Sequence, residues 1–270
     1  MQRITLLGTS GAVSNAQRDN VSLIFSSQQE QLPDFHILLE CGGSAAHKLA
    51  KIGIRYEMLQ DVIITHTHLD HLYGLPGLIF SIMYRDVERT APFRIYCPEG
   101  ASEMISRFLD FFELRKDCWF PLEIHGIPEE EQALVLENVH VIITSTPVNH
   151  APTMPTYGVK ILSKISGKSV VYSSDTTYSE RLIRLAKGAD LLLHECGGLS
   201  YQPIPPIHSN AVQVGKVASE TECKKLVLLH LDTVLNDEPQ QILDEIRQHF
   251  PGESVIASDF DEYVLQNVGS

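Results

Sequence analysis

Short apolar runs rich in β-branched residues recur along the chain and stop abruptly at polar residues. Runs of that length and composition read as buried strands, here over residues 4–7, 21–25, 36–39, 62–64, 93–96, 139–144, 157–165, 169–172, 191–193, 226–229, 255–256 and 263–265. The pair 157–165 and 169–172 closes around Ser166-Gly167-Lys168 as a hairpin. Helical spacing separates many of these runs. Ser44 is placed to cap a helix over 44–52 that Gly53 closes, an apolar helix follows Gly74 to about residue 84, and Pro98 starts another to about 109. Further helices are expected over 180–187, 209–220 and 238–250. Between residues 111 and 136 the pattern is weak, and its acidic run Glu129-Glu130-Glu131 reads as a solvated turn.

Strands and helices alternate twice with β-rich stretches between them, without a Gly/Ser linker, a composition break or a plain repeat. The fold class this implies is α/β: one domain over residues 1–270, with two mixed β-sheets inside and helices outside. Composition changes the picture little, with 43% hydrophobic and 20% charged residues. The formal net charge of −13 argues against passive attraction to nucleic acid or an anionic membrane. It leaves room for a small anionic substrate, since bound divalent ions reverse the local field. No apolar run reaches bilayer length, and residues 1–7 lack the extended apolar region of a signal peptide. Five scattered cysteines without a Cys-x-x-Cys pair read as reduced, packed thiols, so a cytoplasmic protein is expected.

Chemistry concentrates behind the run Val62-Ile63-Ile64, in Thr65-His66-Thr67-His68-Leu69-Asp70-His71. Imidazole and carboxylate are ligands that zinc and similar cations prefer, and four of them within six residues are hard to explain as packing. Other strand ends carry the same residue types: His150, Asp175, His194 and His230. With His150, Asp175 and His230 the set reaches five histidines and two aspartates, enough for two ions if one carboxylate bridges them and water completes each shell. A paired site supplies a bridging hydroxide and clamps the attacking and leaving oxygens. The turn Gly8-Thr9-Ser10-Gly11 is flexible enough to approach a ligand. His36, His47, His125, His140 and His249 fit no ligand pattern, and Cys41 and Cys196 read as small packing residues beside glycines.

His66-Thr67-His68-Leu69-Asp70-His71, then His150, Asp175 and His230 in that order, resemble the metallo-β-lactamase superfamily over nearly the whole chain. The resemblance implies a four-layer αββα sandwich with the site along one edge of its two sheets. By it, His66, His68 and His150 hold the first metal, Asp70, His71 and His230 the second, and Asp175 bridges. Within the superfamily the chain is most similar to the tRNase Z group and its phosphodiesterase relatives. Leu7-Gly8-Thr9, Cys41-Gly42, Ile64-Thr65-His66, Gly74-Leu75-Pro76-Gly77-Leu78, Pro147-Val148-Asn149-His150 with Tyr157-Gly158, Ser174-Asp175-Thr176, His194-Glu195, His208-Ser209 and Leu229-His230 carry that likeness. A histidine at position 68 separates the chain from flavodiiron enzymes, whose similar motif has Glu there.

Two departures shape the functional expectation. Only 24 residues separate His150 from Asp175, an interval in which tRNase Z enzymes usually carry a tRNA-clamping arm. The likeness also expects His-Glu-Ala-Thr where this chain has His194-Glu195-Cys196-Gly197. The sequence therefore reads as a dinuclear, zinc-first hydrolase of small nucleotide or cyclic phosphodiesters, with manganese or iron accepted by the same ligands. Asp70 is expected to orient the hydroxide or accept its proton. His208, expected at the N-terminus of a helix whose free amides favour anions, would bind the phosphate or protonate the leaving oxygen. His194 and Glu195 either orient ligands from behind or finish a buried strand. Carboxylic ester or lactone hydrolysis, a tRNase Z-type endoribonuclease and a non-catalytic metal sensor are the competing readings. The resemblance implies a homodimer, and substrate choice is assigned to loops such as 85–92 and 111–128.

Overall fold

Most of the apolar runs pair into two seven-stranded mixed sheets in a computed structural model that describes residues 1–232 and 239–265. The first sheet contains β1 (Gln2–Gly8), β2 (Ser22–Gln29), β3 (Leu32–Leu39), β4 (Asp61–Ile63), β5 (Phe93–Pro98) and β6 (Leu122–Ile127). The second contains β7 (Ala133–Glu137), β8 (Val141–Pro147), β9 (Tyr157–Ser163), β10 (Ser169–Tyr172), β11 (Leu191–Cys196), β12 (Lys225–Leu231) and β13 (Glu253–Ile256). The last strand, β14 (Glu262–Val264), returns to pair antiparallel with β1. The helices are α1 (Ala45–Lys51), α2 (Leu69–Leu72), α3 (Leu75–Arg85), α4 (Ser102–Phe111), α5 (Leu114–Asp117), α6 (Glu180–Ala186), α7 (Ala211–Thr221) and α8 (Pro239–Arg247).

Strands apolar on both faces need cover on both faces. Ile37, Ile63, Ile143, Ile161, Leu193 and Leu229 meet between the sheets. Val62 and Ile64 point the other way, into a layer with Leu49, Leu78 and Ile82. Leu192 and Leu228 likewise pack outward against Val214 and Ile246. The result is the expected four-layer αββα sandwich. Strands β3 to β6 run parallel, as do β10 to β13, so several strands of each sheet end at one rim. Ligand sites of open α/β sheets lie beyond such carboxyl ends.

Several boundaries differ from expectation. The weak stretch 111–136 folds as α5, β6 and most of β7, because a sheet edge needs only a few apolar contacts per strand. Pro98 closes β5 rather than opening the helix, which begins at Ser102 after a single 3-10 turn. Ser44 sits at the α1 N-cap without a side-chain cap bond. Helix α8 starts at Pro239, the expected start at residue 238 lying outside the described residues. Segments 85–92 and 111–121 enter β5 and β6, which run parallel to β4, so they lie at the end of the sheet away from the rim beyond β4. That corrects the assignment of 85–92 and of the first part of 111–128 as substrate loops; the rest of 111–128 is β6 itself, with Pro128 just past its carboxyl end. Arg89, in the first of them, donates to the carbonyls of Glu57, Ala91 and Pro92. Among the described residues no helix is long and apolar enough to cross a membrane.

Candidate metal centre

The chain leaving β4 turns at once into the site. His66 and His68 lie in the connection, while Asp70 and His71 sit on the short helix α2 rather than in the expected loop. That helix packs down on the first sheet because Gly42 leaves room for it: a Cβ at Gly42 would stand 2.2 Å from the Asp70 carbonyl oxygen. The second sheet supplies one donor from each of three strand ends. His150 follows β8, Asp175 follows β10, and His230 belongs to β12. Glu195 pairs with Leu229 and Cys196 with Leu231, so His230 is the extra residue of a bulge, held at φ +52°. Bulges beside active sites re-aim a side chain in this way.

All seven expected donors converge. His68 Nδ1 lies 3.1 Å from His66 Nε2 and 3.0 Å from His150 Nε2. Beside this group, His230 Nε2 lies 3.3 Å from both His71 Nε2 and Asp70 Oδ2. Asp175 stands between them, with Oδ2 at 3.6 Å from His66 Nε2 and 3.4 Å from His71 Nε2, and Oδ1 at 3.2 Å from His230 Nε2. A tetrahedral zinc with bonds of roughly 2.0–2.1 Å keeps its donors about 3.3–3.4 Å apart, so both groups have the size of a metal shell. Asp175 Oδ1 is buried without a hydrogen-bond partner, as expected of an atom awaiting a cation. The donor set therefore fits a pair of divalent ions.

Tautomers and charge agree with that fit. His150 donates Nδ1–H to the Ile207 carbonyl at 2.9 Å, which leaves the Nε2 lone pair facing the centre. Burial pushes His66 well below the usual imidazole value and His150 down to about 4, so both are neutral donors. Burial also opposes charge on His71, but Asp175 and Glu40 outweigh it and hold the ring well above its ordinary value. Burial favours a neutral Asp175, yet His230, His71 and His66 keep it well below the carboxylate range.

Glu40, which sequence reasoning missed, is wholly buried at the end of β3 and reaches His71 Nδ1 at 3.3 Å. It also accepts from the Thr65 amide at 3.2 Å and from the Thr65 hydroxyl. A signal was present: Glu40 is an acid directly after the apolar run Ile37-Leu38-Leu39. Thr65 Oγ1 lies 2.5 Å from Ser174 Oγ, tying the two sheets together beneath the centre.

His208 does reach the site, but not as expected. Helix α7 begins at Ala211, and Asn210 closes its first turn in a capping box with Gln213, so His208 is not at a helix N-terminus with free amides. Its Nδ1 lies 2.9 Å from Glu195 Oε1, and its ring is stacked on His230 at 5.6 Å with the planes inclined by 22°. Burial works against charge on His208, but Glu195 prevails and raises it to about 9. His194 and Glu195 part company, as adjacent strand residues do. Glu195 serves His208 and the Thr176 amide, whereas His194 bonds the Glu195 carbonyl at 2.7 Å and is pushed by burial to about 4. The Gly8–Gly11 turn does come close: a Cβ at Gly11 would stand 3.0 Å from the His230 ring. His36 and His140 are structural, the first on Ser26 at 2.8 Å and the second stacked on Phe35 at 5.4 Å.

Known proteins resemble this chain in sequence and in fold. A family model described as "Anti-Pycsar protein Apyc1" matches residues 2–248. A curated Ribonuclease Z from Methanothermobacter thermautotrophicus is 28% identical, with 93% of each chain covered. Its alignment runs over 298 positions against a chain of 270, so it contains gaps. The metallo-β-lactamase fold protein YhfI from Bacillus subtilis superposes with a TM-score of 0.79 at 23% identity, covering 97% of this chain and 98% of its own. The short form of human tRNase Z superposes with a TM-score of 0.78 at 22% identity, covering 98% of this chain and 100% of its own.

Proposed function

Because the chain belongs to the family described as Anti-Pycsar protein Apyc1, we propose that this metal-dependent hydrolase is a phosphodiesterase of small nucleotides or cyclic phosphodiesters, acting as one domain over residues 1–270. In this reading His66, His68 and His150 would hold one divalent ion and Asp70, His71 and His230 the other, with Asp175 available to both. Zinc suits the donors, as do manganese and iron. Such a pair supplies a nucleophile at neutral pH and neutralises phosphoryl charge.

The chain's own groups do the rest. Asp70, whose Oδ2 lies at the edge of the centre 3.3 Å from His230 Nε2, orients the attacking water and takes its proton. His208 carries a proton at neutral pH because Glu195 stabilises the charged ring. With Nδ1 engaged by Glu195, Nε2 is the atom that delivers a proton to the leaving oxygen. The observation that carries the proposal is the His208 imidazole, held by Glu195 at 2.9 Å beside seven converging donors that one carboxylate joins. A homodimer through the outer face of α3 completes the reading, supported by Phe80 and Tyr84, which pack 4.7 Å apart and are exposed.

A second reading, tRNase Z-type endoribonuclease, is favoured by curated relatives named Ribonuclease Z that align with nearly the whole chain. Against it stand the interval between His150 and Asp175, filled by a short loop and the β9–β10 hairpin, and the net charge of −13. The deciding experiment offers metal-loaded protein bis(p-nitrophenyl) phosphate, cyclic nucleotides, a tRNA precursor, a p-nitrophenyl ester and a lactone, with His68→Ala as control. Metal-dependent turnover of the small phosphodiesters, lost in the variant, is the expected result. Cleavage of the precursor alone would establish the second reading, and activity on the ester or lactone alone would refute both.

A further inference from the structure

The segment that carries His208 is a closed excursion with both feet on the end of β11. The Gly197 amide donates to the Ser209 carbonyl at 2.9 Å, and the Ala211 amide donates to the Gly198 carbonyl at 2.9 Å. Ser209 Oγ donates to the Thr176 carbonyl at 2.7 Å, so the returning foot is also pinned to the segment after Asp175. Three prolines at 203, 205 and 206 stiffen the excursion, and the His208 amide closes its last turn on the Pro205 carbonyl at 3.0 Å. On the far side Ser200 donates from its amide and hydroxyl to Glu245 of α8 at 3.0 and 2.8 Å.

Gly197 lies beneath this arch. A Cβ there would stand 2.6 Å from Ile204 Cγ2 and 3.5 Å from both His208 Cβ and the Ser209 carbonyl oxygen. Ile204 Cγ2 branches directly from Cβ, so it cannot swing aside as the tip of a long side chain would. Gly197 is absent from the positive-φ residues, so what it contributes is space, not an unusual backbone shape. Position 197 is also where the tRNase Z likeness expects threonine.

We propose that Gly197 is a positioning residue: by admitting the Ile204 methyl it lets the proline-rich arch seat on β11, and that seating fixes His208 against Glu195 above the donor cluster. The proposal rests on the reading of His208 as proton donor, and an observable independent of turnover separates the two. The imidazole Nδ1–H of His208, bonded to Glu195, should give a downfield proton resonance, assigned by its loss in His208→Gln.

Gly197→Ala is expected to abolish that resonance and lower kcat on bis(p-nitrophenyl) phosphate at least tenfold, with KM changed less than threefold and two metals retained. Ile204→Ala should change kcat less than threefold. The double variant Gly197→Ala/Ile204→Ala, with the clash removed, should recover the resonance and most of the kcat. An unaltered resonance in Gly197→Ala, or a double variant no better than Gly197→Ala, would overturn the proposal. Should wild-type protein turn over no phosphodiester, the loss and recovery of the resonance still decide it. If Gly197→Ala does not accumulate as folded protein, a folded double variant with the resonance supports the interlock, and one without it overturns it.

Discussion

The two sheets furnish the centre by opposite means. The first sheet delivers four donors, His66, His68, Asp70 and His71, from one continuous segment behind β4. The second delivers His150, Asp175 and His230 from three strands that meet only when the sheet has formed. One contribution is local and partly preorganised by the chain; the other is a product of tertiary structure. Charge divides along a different line: His66 and His150 lie 3.6 and 3.9 Å from Asp175, whereas His71 lies between Asp175 and Glu40. A residue of the second sheet thus holds together donors that the first sheet supplies.

The strongest way to break this division of labour is Asp175→Ala, which removes the carboxylate common to both groups. We expect a loss on the order of 10⁴-fold in kcat/KM and a fall from two bound metals to one or none. Atomic absorption showing two tightly held metals in that variant would refute the bridging role. His208→Ala should leave metal content intact and cost about 10²–10⁴-fold in kcat. Equal losses of metal and of activity would instead make His208 a ligand.

Glu40→Gln tests the first sheet in isolation. The amide keeps the size but surrenders the charge beside His71, so metal affinity should weaken roughly 10–100-fold, with one ion lost before the other in competition with a chelator. The smallest effects contrast the helices behind the two sheets. Asn210→Ala removes the side-chain half of the α7 capping box, leaving the backbone amide of residue 210 on Gln213, and should cost about 1 kcal/mol in urea unfolding. Ser44 makes no cap bond, so Ser44→Ala should stay within about 0.5 kcal/mol of the parent.

The same contrast explains what the sequence made legible. His66, His68, Asp70 and His71 announce themselves because donors from one strand end are adjacent in sequence. His150, Asp175 and His230 are legible one step further, as polar residues at the ends of apolar runs. Residues 122–127 and 133–137 were obscured because edge strands carry a shorter apolar signal than buried central ones. Neither the bulge that turns His230 inward nor the contact between His208 and Glu195 is written locally. Each depends on register between strands, which single-chain patterning does not encode. Glu40 carries the local signal of an acid after an apolar run, but its pairing does not, since its partners Thr65 and His71 lie more than twenty residues away.

The pairing of β14 with β1 sets the timetable of folding during synthesis. Arg3 pairs with Ser26 of β2 on one side and with Val264 on the other, so β1 leaves the ribosome long before the strand that covers its outer edge exists. At about 5–20 residues per second that edge waits roughly 10 to 50 s. For that time the nascent chain presents an unpaired backbone edge on an apolar strand, a template for association with other chains. Expression at lower temperature or beside a holdase should therefore raise the yield of folded protein more than any change at the metal centre.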